Sequence, residues 1–313
     1  MGEMKKTPQI ALGAWAWGND GTFGGNLTPE ELRPVFDTAM KEGLNLWDTA
    51  YVYGMGTSEK VLGDFLRTVS RDSYLISDKF TPQCADLGED NAVTALYKKS
   101  AEFLGTDYID FYWIHNPMDA PKWVTELIPL AKSGKIGKIG LSNHSLAEIK
   151  EAVDILAKEG LKISAIQNHY SILNRSSEDS GILDYCKKND ILFFSYMVLE
   201  QGALTGKFNT EHPFPEGSDR GKIYNPILSK LEKLNKEVKK IADFHHVTTA
   251  QVVIAWAIAK GTLPIIGVTK VYHVTDAVKA ATIELSENEI NMLDELGDAA
   301  EVNVIRYWEK EMN

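Results

Sequence analysis

The sequence predicts a (β/α)8 barrel of the TIM type, with extra carboxyl-terminal helices and a long loop after the seventh strand. Two observations predict it. Eight short runs are apolar throughout rather than alternating, as parallel strands buried on both faces are. Between them lie helical segments that carry their own start and stop signals.

In chain order the strand runs are Ile10–Trp15, Leu44–Trp47, Tyr74–Ser77, Ile109–Ile114, Ile136–Leu141, Ile163–Gln167, Ile191–Ser195 and Leu263–Ile266. The first helix opens at Thr28-Pro29-Glu30-Glu31, with a threonine N-cap, a proline at the first helical position and a glutamate that can reach back. Ser145 with Glu148, Thr248 with Gln251 and Ser286 with Glu289 repeat that spacing. Gly43, Gly105, Gly134 and Gly160 fall where helices should stop. Residues 207–226 form the longest polar stretch containing glycine and proline, and read as a loop between strands seven and eight. Residues 286–313 read as helices added outside the barrel. No change of composition marks a boundary, so residues 1–313 are expected to form one domain; the competing arrangement is an open doubly wound sheet.

Lys and Arg total 33 against 44 Asp and Glu, a formal charge of −11. That balance argues against nucleic acid and anionic membrane as partners, though a local basic pocket for a small phosphorylated ligand is compatible with it. Cys84 and Cys186 belong to no CxxC pair, and no HExxH spacing occurs, so neither a disulfide framework nor a metal site is expected. The amino terminus reaches Pro8 before any long apolar run, which reads as no leader peptide. No stretch approaches the roughly 20 apolar residues of a membrane span. A cytoplasmic protein is expected, its oligomeric state open.

In such barrels the chemistry sits at the carboxyl ends of the strands. Asp48 and Tyr53 follow the second strand, Lys79 the third, His115 the fourth, Ser142 and Asn143 the fifth, Gln167 and Asn168 the sixth, and Tyr196 the seventh. The eighth runs into Gly267-Val268-Thr269-Lys270. A phenol is a poor acid at neutral pH, and a nearby ammonium should bring its pKa down. A carboxylate would keep that ammonium charged, and a histidine could hold a carbonyl oxygen in line. No serine or cysteine nucleophile pairs with a base, so the set is suited to protonating an oxygen rather than to acyl transfer.

These residues resemble the aldo-keto reductase family, in the bacterial-type branch related to aryl-alcohol dehydrogenases and potassium-channel beta subunits. Asp48-Thr49-Ala50-Tyr51-Val52-Tyr53-Gly54 looks like its Asp-Thr-Ala-x-x-Tyr-Gly signature, with Ser58-Glu59 and Leu62-Gly63 at the usual distances. Asp78-Lys79-Phe80, Asp110–His115 and Gly134–Asn143 resemble its third, fourth and fifth strands. The resemblance implies reduction of a carbonyl compound by NADPH, with Tyr53 as proton donor, Lys79 and Asp48 tuning it, and His115 orienting the substrate. It implies that Ser142, Asn143 and Gln167 bind the nicotinamide carboxamide and that Tyr196 stacks under the ring. The segment Tyr196–Lys207 resembles the family's pyrophosphate loop and brings in Leu199, Gln201, Gly202 and Lys207, with Met197-Val198 replacing the usual Ser-Pro. Gly267–His273 resembles the family's last cofactor element, in which Thr269 and Lys270 are implied to hold the 2′-phosphate; His273 stands where the family has arginine, which admits NADH beside NADPH. Asp276 and Ala277 stand where a Glu-Asn pair contacts adenine.

Trp15, Trp17, Tyr51, Phe80 and Trp113 offer aromatic walls for a substrate, Trp15 first among them. Asn116, where relatives carry a large aromatic or a basic residue, implies a more polar or roomier pocket. The competing function is a nucleotide-sensing subunit with little catalysis, like the potassium-channel beta subunits, which keep this fold. Gly54-Met55-Gly56-Thr57-Ser58-Glu59 lacks the third glycine of a dinucleotide fingerprint and reads as a turn. His144, His169 and His245-His246 read as structural, and Lys230–Lys240 as a solvated helix face.

Overall fold

Eight parallel strands close into a barrel in sequence order, β1 pairing with both β2 and β8. They are β1 (Ala11–Gly13), β2 (Leu46–Asp48), β3 (Leu75–Phe80), β4 (Ile109–Ile114), β5 (Ile136–Ser142), β6 (Ile163–His169), β7 (Leu192–Tyr196) and β8 (Leu263–Gly267). The computed structural model describes residues 6–306 and 308–312. Residues 1–5 of the stretch read for a leader, and 307 and 313 of the carboxyl-terminal segment, lie outside the described residues.

Alternation along the strands sorts the core into two layers. Ala11, Leu46, Leu75, Phe111, Trp113, Ala165, Phe194 and Leu263 fill the barrel interior. The intervening residues, such as Leu12, Trp47, Ile76, Tyr112 and Ile166, pack outward under the helices. Helices begin where capping spacings predicted: Thr28, Thr248 and Ser286 each accept from a backbone N–H three residues on, while Glu31, Gln251 and Glu289 reach back. The carboxylate of Glu148 likewise accepts from the Ser145 N–H at 2.8 Å.

Three local expectations change. The first strand stops at Gly13, and Trp15 lies instead in a 3₁₀ turn, Trp15–Gly18, whose Trp17 N–H bonds back to the Ala14 carbonyl at 3.0 Å. The polar stretch after β7 is not irregular throughout: it holds a helix, Asp219–Tyr224, and buries Phe214 and Tyr224 in a small apolar cluster with Ala203, Leu228, Leu231, Ala300 and Val304. Among the described residues the carboxyl-terminal segment forms one helix, Glu287–Ala299, followed by a tail without regular structure. Among the described residues no helix is long and apolar enough to cross a membrane.

Candidate active site

The site grows out of the inward face of the barrel. Two residues on from Leu46 stands Asp48; beyond Leu75 come Ser77 and Lys79; beyond Trp113, His115; beyond Ala165, Gln167; beyond Phe194, Tyr196. Side chains two apart point the same way, so the apolar interior gives way to a polar floor at the carboxyl ends.

Lys79 is fully buried, and its ammonium donates to Asp48 Oδ1 at 2.6 Å and to the Thr49 carbonyl at 2.7 Å. The other Asp48 oxygen accepts from the Ser77 hydroxyl at 2.6 Å and the Gln167 amide at 3.1 Å, and Ser77 in turn accepts from the Trp113 indole. Burial pulls the Lys79 pKa down, but Asp48 and Tyr53 push it up further, and the net shift is upward, so the group stays charged. Lys79 Nζ lies 5.0 Å from the centre of the Tyr53 ring.

Tyr53 is carried on the turn after β2. That turn is pinned by the buried hydroxyls of Thr49 and Ser58, 2.8 Å apart, and by Ser58 donating to the Ala14 carbonyl at 2.7 Å. Its position depends on two glycines. A Cβ at Gly54, whose φ is +65°, would stand 2.0 Å from the Gly18 carbonyl oxygen, and one at Gly18 would stand 2.6 Å from the Tyr53 carbonyl carbon. The expectation that Lys79 brings the Tyr53 pKa below its ordinary 10.0 is corrected. Loss of hydration pushes the phenol up, Lys79 pulls it down by less, and Asp48 pushes it up again. The hydroxyl is therefore protonated through neutral pH.

His115 packs edge-on to the Tyr53 ring at 5.8 Å, and its Nδ1 lies 2.8 Å from the Thr81 hydroxyl. Burial, and then the Lys79 charge, hold its pKa well below the ordinary value, so the imidazole is neutral. Thr81 was missed in the sequence because a hydroxyl two residues past a lysine carries no motif; it fixes Nδ1 and leaves Nε2 for a ligand. Asn143, at φ +65°, donates from its backbone N–H to the Gln167 carbonyl and to Asn168 Oδ1, and from its amide to the His115 carbonyl and to Ser142 Oγ. Its Oδ1 accepts from the Tyr196 hydroxyl at 2.5 Å. Six strand ends, β2 through β7, are thus tied by hydrogen bonds around one floor.

That floor opens into a cavity of about 2040 Å³. Asp48, Tyr53, His115 and Trp15 line its inner end, with Ser142, Asn143, Gln167 and Tyr196 beside them. Leu199, Gln201, Gly202 and Lys207 line one flank; Gly267, Thr269, Lys270, His273 and Asp276 line the other. Of the sequence-derived set, Lys79 and Asn168 lie behind the wall, covered by their partners. Of the five candidate aromatic walls only Trp15 reaches the cavity, stacked on Tyr53 at 5.4 Å. Trp17 is buried and donates to the Val268 carbonyl, Trp113 fills the barrel, Phe80 packs on Trp123, and Tyr51 stacks on Phe103. Trp308 and Phe23, unforeseen, meet Trp15 edge-on at 6.0 and 5.1 Å. Asn116 sits at the rim, its amide donating to Gln83 Oε1 at 2.7 Å.

The outer end holds more cations than the carboxylates Asp219, Glu232 and Asp276 that line it with them, Lys222 pairing with Asp219 at 2.8 Å. Lys207 and Lys270 are exposed there, and Arg220, Lys222, Lys236 and Lys239 also face the cavity. The helix read as a solvated face, Leu228–His245 in the structure, therefore also supplies cavity lining. At Gly267 nothing stands within 4 Å of the Cβ position, so backbone opens directly on the space. His273 Nδ1 accepts from the Thr269 N–H at 3.1 Å, and burial, outweighing Asp276, lowers its pKa. It adds no charge. Asp276 is held by the Gln251 amide at 2.6 Å. Amides at one end and cations at the other suit an elongated phosphorylated ligand such as a dinucleotide.

Next to Lys79, Asp78 points out of the barrel and is fully buried, as is Glu59. The Ser100 hydroxyl lies beside both carboxyls and the Lys79 backbone N–H beside Asp78, too little to offset their burial. Burial pushes Asp78 from its ordinary 3.8 up to about 7, and burial and then Asp78 push Glu59 well above its own. A carboxyl raised in this way stabilises the fold fully at pH below 3.8, and that contribution is lost as pH climbs to about 7. In Asp78→Asn the loss should largely vanish. The expected result is a gap in melting temperature between variant and wild type that widens by several degrees from pH 4 to pH 8; parallel curves would contradict it.

The chain matches the Aldo/keto reductase family model over residues 9–298. It is 29% identical to a chloroplastic pyridoxal reductase of Arabidopsis thaliana, over 92% of this chain and 82% of that one. An aldo-keto reductase of Schizosaccharomyces pombe whose name specifies NADP(+) is 30% identical, over 95% of this chain and 91% of the other. Among solved structures, a glycerol dehydrogenase of Gluconobacter oxydans superposes with a TM-score of 0.80 at 25% identity, covering 96% of this chain and 94% of its own. A barrel closed in sequence order, an Asp-Thr-Ala-x-x-Tyr-Gly turn at its second strand and a match across nearly the whole length lead to one conclusion: the chain belongs to the aldo/keto reductase family.

Proposed function

We propose that the protein is a cytoplasmic enzyme that reduces an aldehyde or ketone to the alcohol, with NADPH as reductant and NADH admitted. The observation that carries this reading is the meeting of Tyr53, Lys79, Asp48 and His115 at the closed end of a cavity whose open end is lined with cations. NADPH, when bound, supplies hydride to the carbonyl carbon. Tyr53 gives its hydroxyl proton to the carbonyl oxygen, and the Lys79 ammonium stabilises the phenolate that remains. Asp48 holds that ammonium in place. Neutral His115 donates from Nε2 to the same oxygen and sets its direction. Ser142, Asn143 and Gln167 hold the carboxamide and Tyr196 the ring; Leu199, Gln201 and Gly202 run beside the pyrophosphate. Lys270 and Thr269 would take the 2′-phosphate, with Lys207 beside the pyrophosphate and Asp276 toward the adenine. His273, neutral, contributes little to that phosphate, which is why NADH is admitted.

The aromatic box of Trp15, Trp308 and Phe23 over Tyr53 favours a flat, aromatic carbonyl compound with polar substituents toward Asn116. The pyridoxal reductase relative, named for an aromatic aldehyde, supports this choice. The test is steady-state oxidation of NADPH and NADH, in parallel, across a panel of carbonyl compounds. Aromatic aldehydes are expected to exceed short aliphatic ones in kcat/KM by about tenfold, the worth of one well-filled apolar contact. Tight NADPH binding with no turnover of any compound would favour the nucleotide-sensing alternative instead.

The raised phenol pKa sets the pH dependence. The proton donor is loaded well past neutrality, so carbonyl reduction should be flat from pH 6 to about 9, while alcohol oxidation, which needs the phenolate, should climb across the same range. A reduction rate that falls between pH 7 and 9 would place the acid elsewhere.

A further inference from the structure

The loop after β7 holds an unusual backbone. Met197, Glu200 and Gln201 have φ of 60°, 45° and 50°, left-handed values that side-chain-bearing residues keep only when their surroundings over-determine them. What determines them is a buried charged cluster. His169, at the end of β6, places its Nε2 2.7 Å from Glu200 Oε1 and its Nδ1 2.9 Å from Glu309 Oε2. Both carboxylates and the imidazole are almost completely buried. With a carboxylate on each nitrogen both must donate, so the ring is an imidazolium. Burial opposes that charge, the two glutamates outweigh burial, and the pKa rises to about 10. Ser171 and Tyr224 donate to the Glu200 oxygens, the latter at 2.7 Å. Arg306 donates to Tyr224 Oη at 2.7 Å and to Gln201 Oε1 at 2.8 Å, and its N–H to Glu309 Oε2 at 2.9 Å. Two cations meet two anions, and the cluster is neutral overall.

This cluster joins two cavity walls that are far apart in sequence. Glu200 and Gln201 belong to the loop along one flank. Arg306 and Glu309 belong to the carboxyl-terminal tail, and between them Trp308 reaches over Trp15 at the inner end. The described residues of the tail form no helix or strand; among their other ties are Lys310 to Glu148, Met312 Sδ to the Asn168 amide, Lys230 to the Glu301 carbonyl, and Val304 and Met312 buried in apolar clusters.

We propose that His169 is a positioning residue that couples the loop after β7 to the tail carrying Trp308, so that the nucleotide flank and the substrate wall order or loosen as one unit. The assignment of the two walls to nucleotide and substrate rests on the function proposed above; the coupling itself does not. Two single variants at opposite ends, Glu200→Gln and Glu309→Gln, separate the possibilities. In hydrogen exchange without any ligand, each variant is expected to speed exchange in both segments, 197–206 and 301–312, by about tenfold or more, with the strands unchanged. If each variant loosens only its own segment, the coupling is overturned. Should Glu200→Gln fail to fold, Glu309→Gln, which lies outside the barrel strands, carries the test alone.

Kinetics then read the consequence. With an aromatic aldehyde, Glu309→Gln is expected to raise KM about tenfold and the NADPH dissociation constant about threefold while kcat stays within about twofold. Glu309→Asp should restore part of both. A raised KM with unchanged NADPH affinity would overturn the coupling, because the tail would then act on the substrate alone. A wild type that binds no NADPH would overturn the functional reading, while the exchange result would still decide the coupling.

Discussion

Tyr53→Phe is expected to lose carbonyl reduction by about 10²–10⁴-fold, the usual worth of a positioned general acid, while the NADPH dissociation constant stays within about twofold of wild type. The asymmetry follows from where the hydroxyl stands. The Tyr53 ring is sandwiched between Trp15, stacked at 5.4 Å, and the His115 edge at 5.8 Å, contacts that phenylalanine keeps. The backbone of the turn is set by Gly54, Thr49 and Ser58, which the substitution does not touch. Only the proton and its oxygen are removed. Equal losses in rate and in cofactor affinity would make the residue a structural one.

Lys79→Met is expected to affect stability as well as rate. The ammonium is the one cation among the bonds that buried Asp48 makes. Removing one member of a buried pair leaves the other charge uncompensated, at a cost of about 3–5 kcal/mol. In a chain of this length that lowers the melting temperature by something on the order of 5–10 °C. The double variant Asp48→Asn, Lys79→Met should recover most of the stability, since no unpaired charge remains, and none of the activity. Recovery of both together would assign the pair to the fold alone. Thermal melts and kcat/KM on the same preparations check the two halves.

The barrel was legible in the sequence because its strands are buried on both sides and so read as unbroken apolar runs. The ends of the strands were less so. β3, β6 and β7 continue through Lys79, Asn168–His169 and Tyr196, polar residues whose ladder pairing continues while their side chains are satisfied by hydrogen bonds instead of apolar contact. Apolar runs stop where the site begins. The Asp48, Tyr53, Lys79 and His115 constellation was legible because each member sits a fixed distance from an apolar run. Thr81, Trp308 and Arg306 were not. Thr81 has no partner near it in sequence, and the tail reaches the site only by folding back across the barrel, an event set by Glu309 finding His169 some 140 positions earlier. His169 itself was read as structural, since only coordinates reveal a carboxylate on each of its nitrogens. The sign of the Tyr53 shift was misread for a related reason: burial, the larger influence here, cannot be weighed from residue types.

The most direct measurement is the pH dependence of alcohol oxidation from pH 7 to 11 in the wild type and in Lys79→Met. If the ammonium stabilises the Tyr53 phenolate, the wild-type rate climbs and bends over first, while the variant climbs on to higher pH before it levels. If both bend at the same pH, with the variant slower by a constant factor throughout, Lys79 does not act through Tyr53.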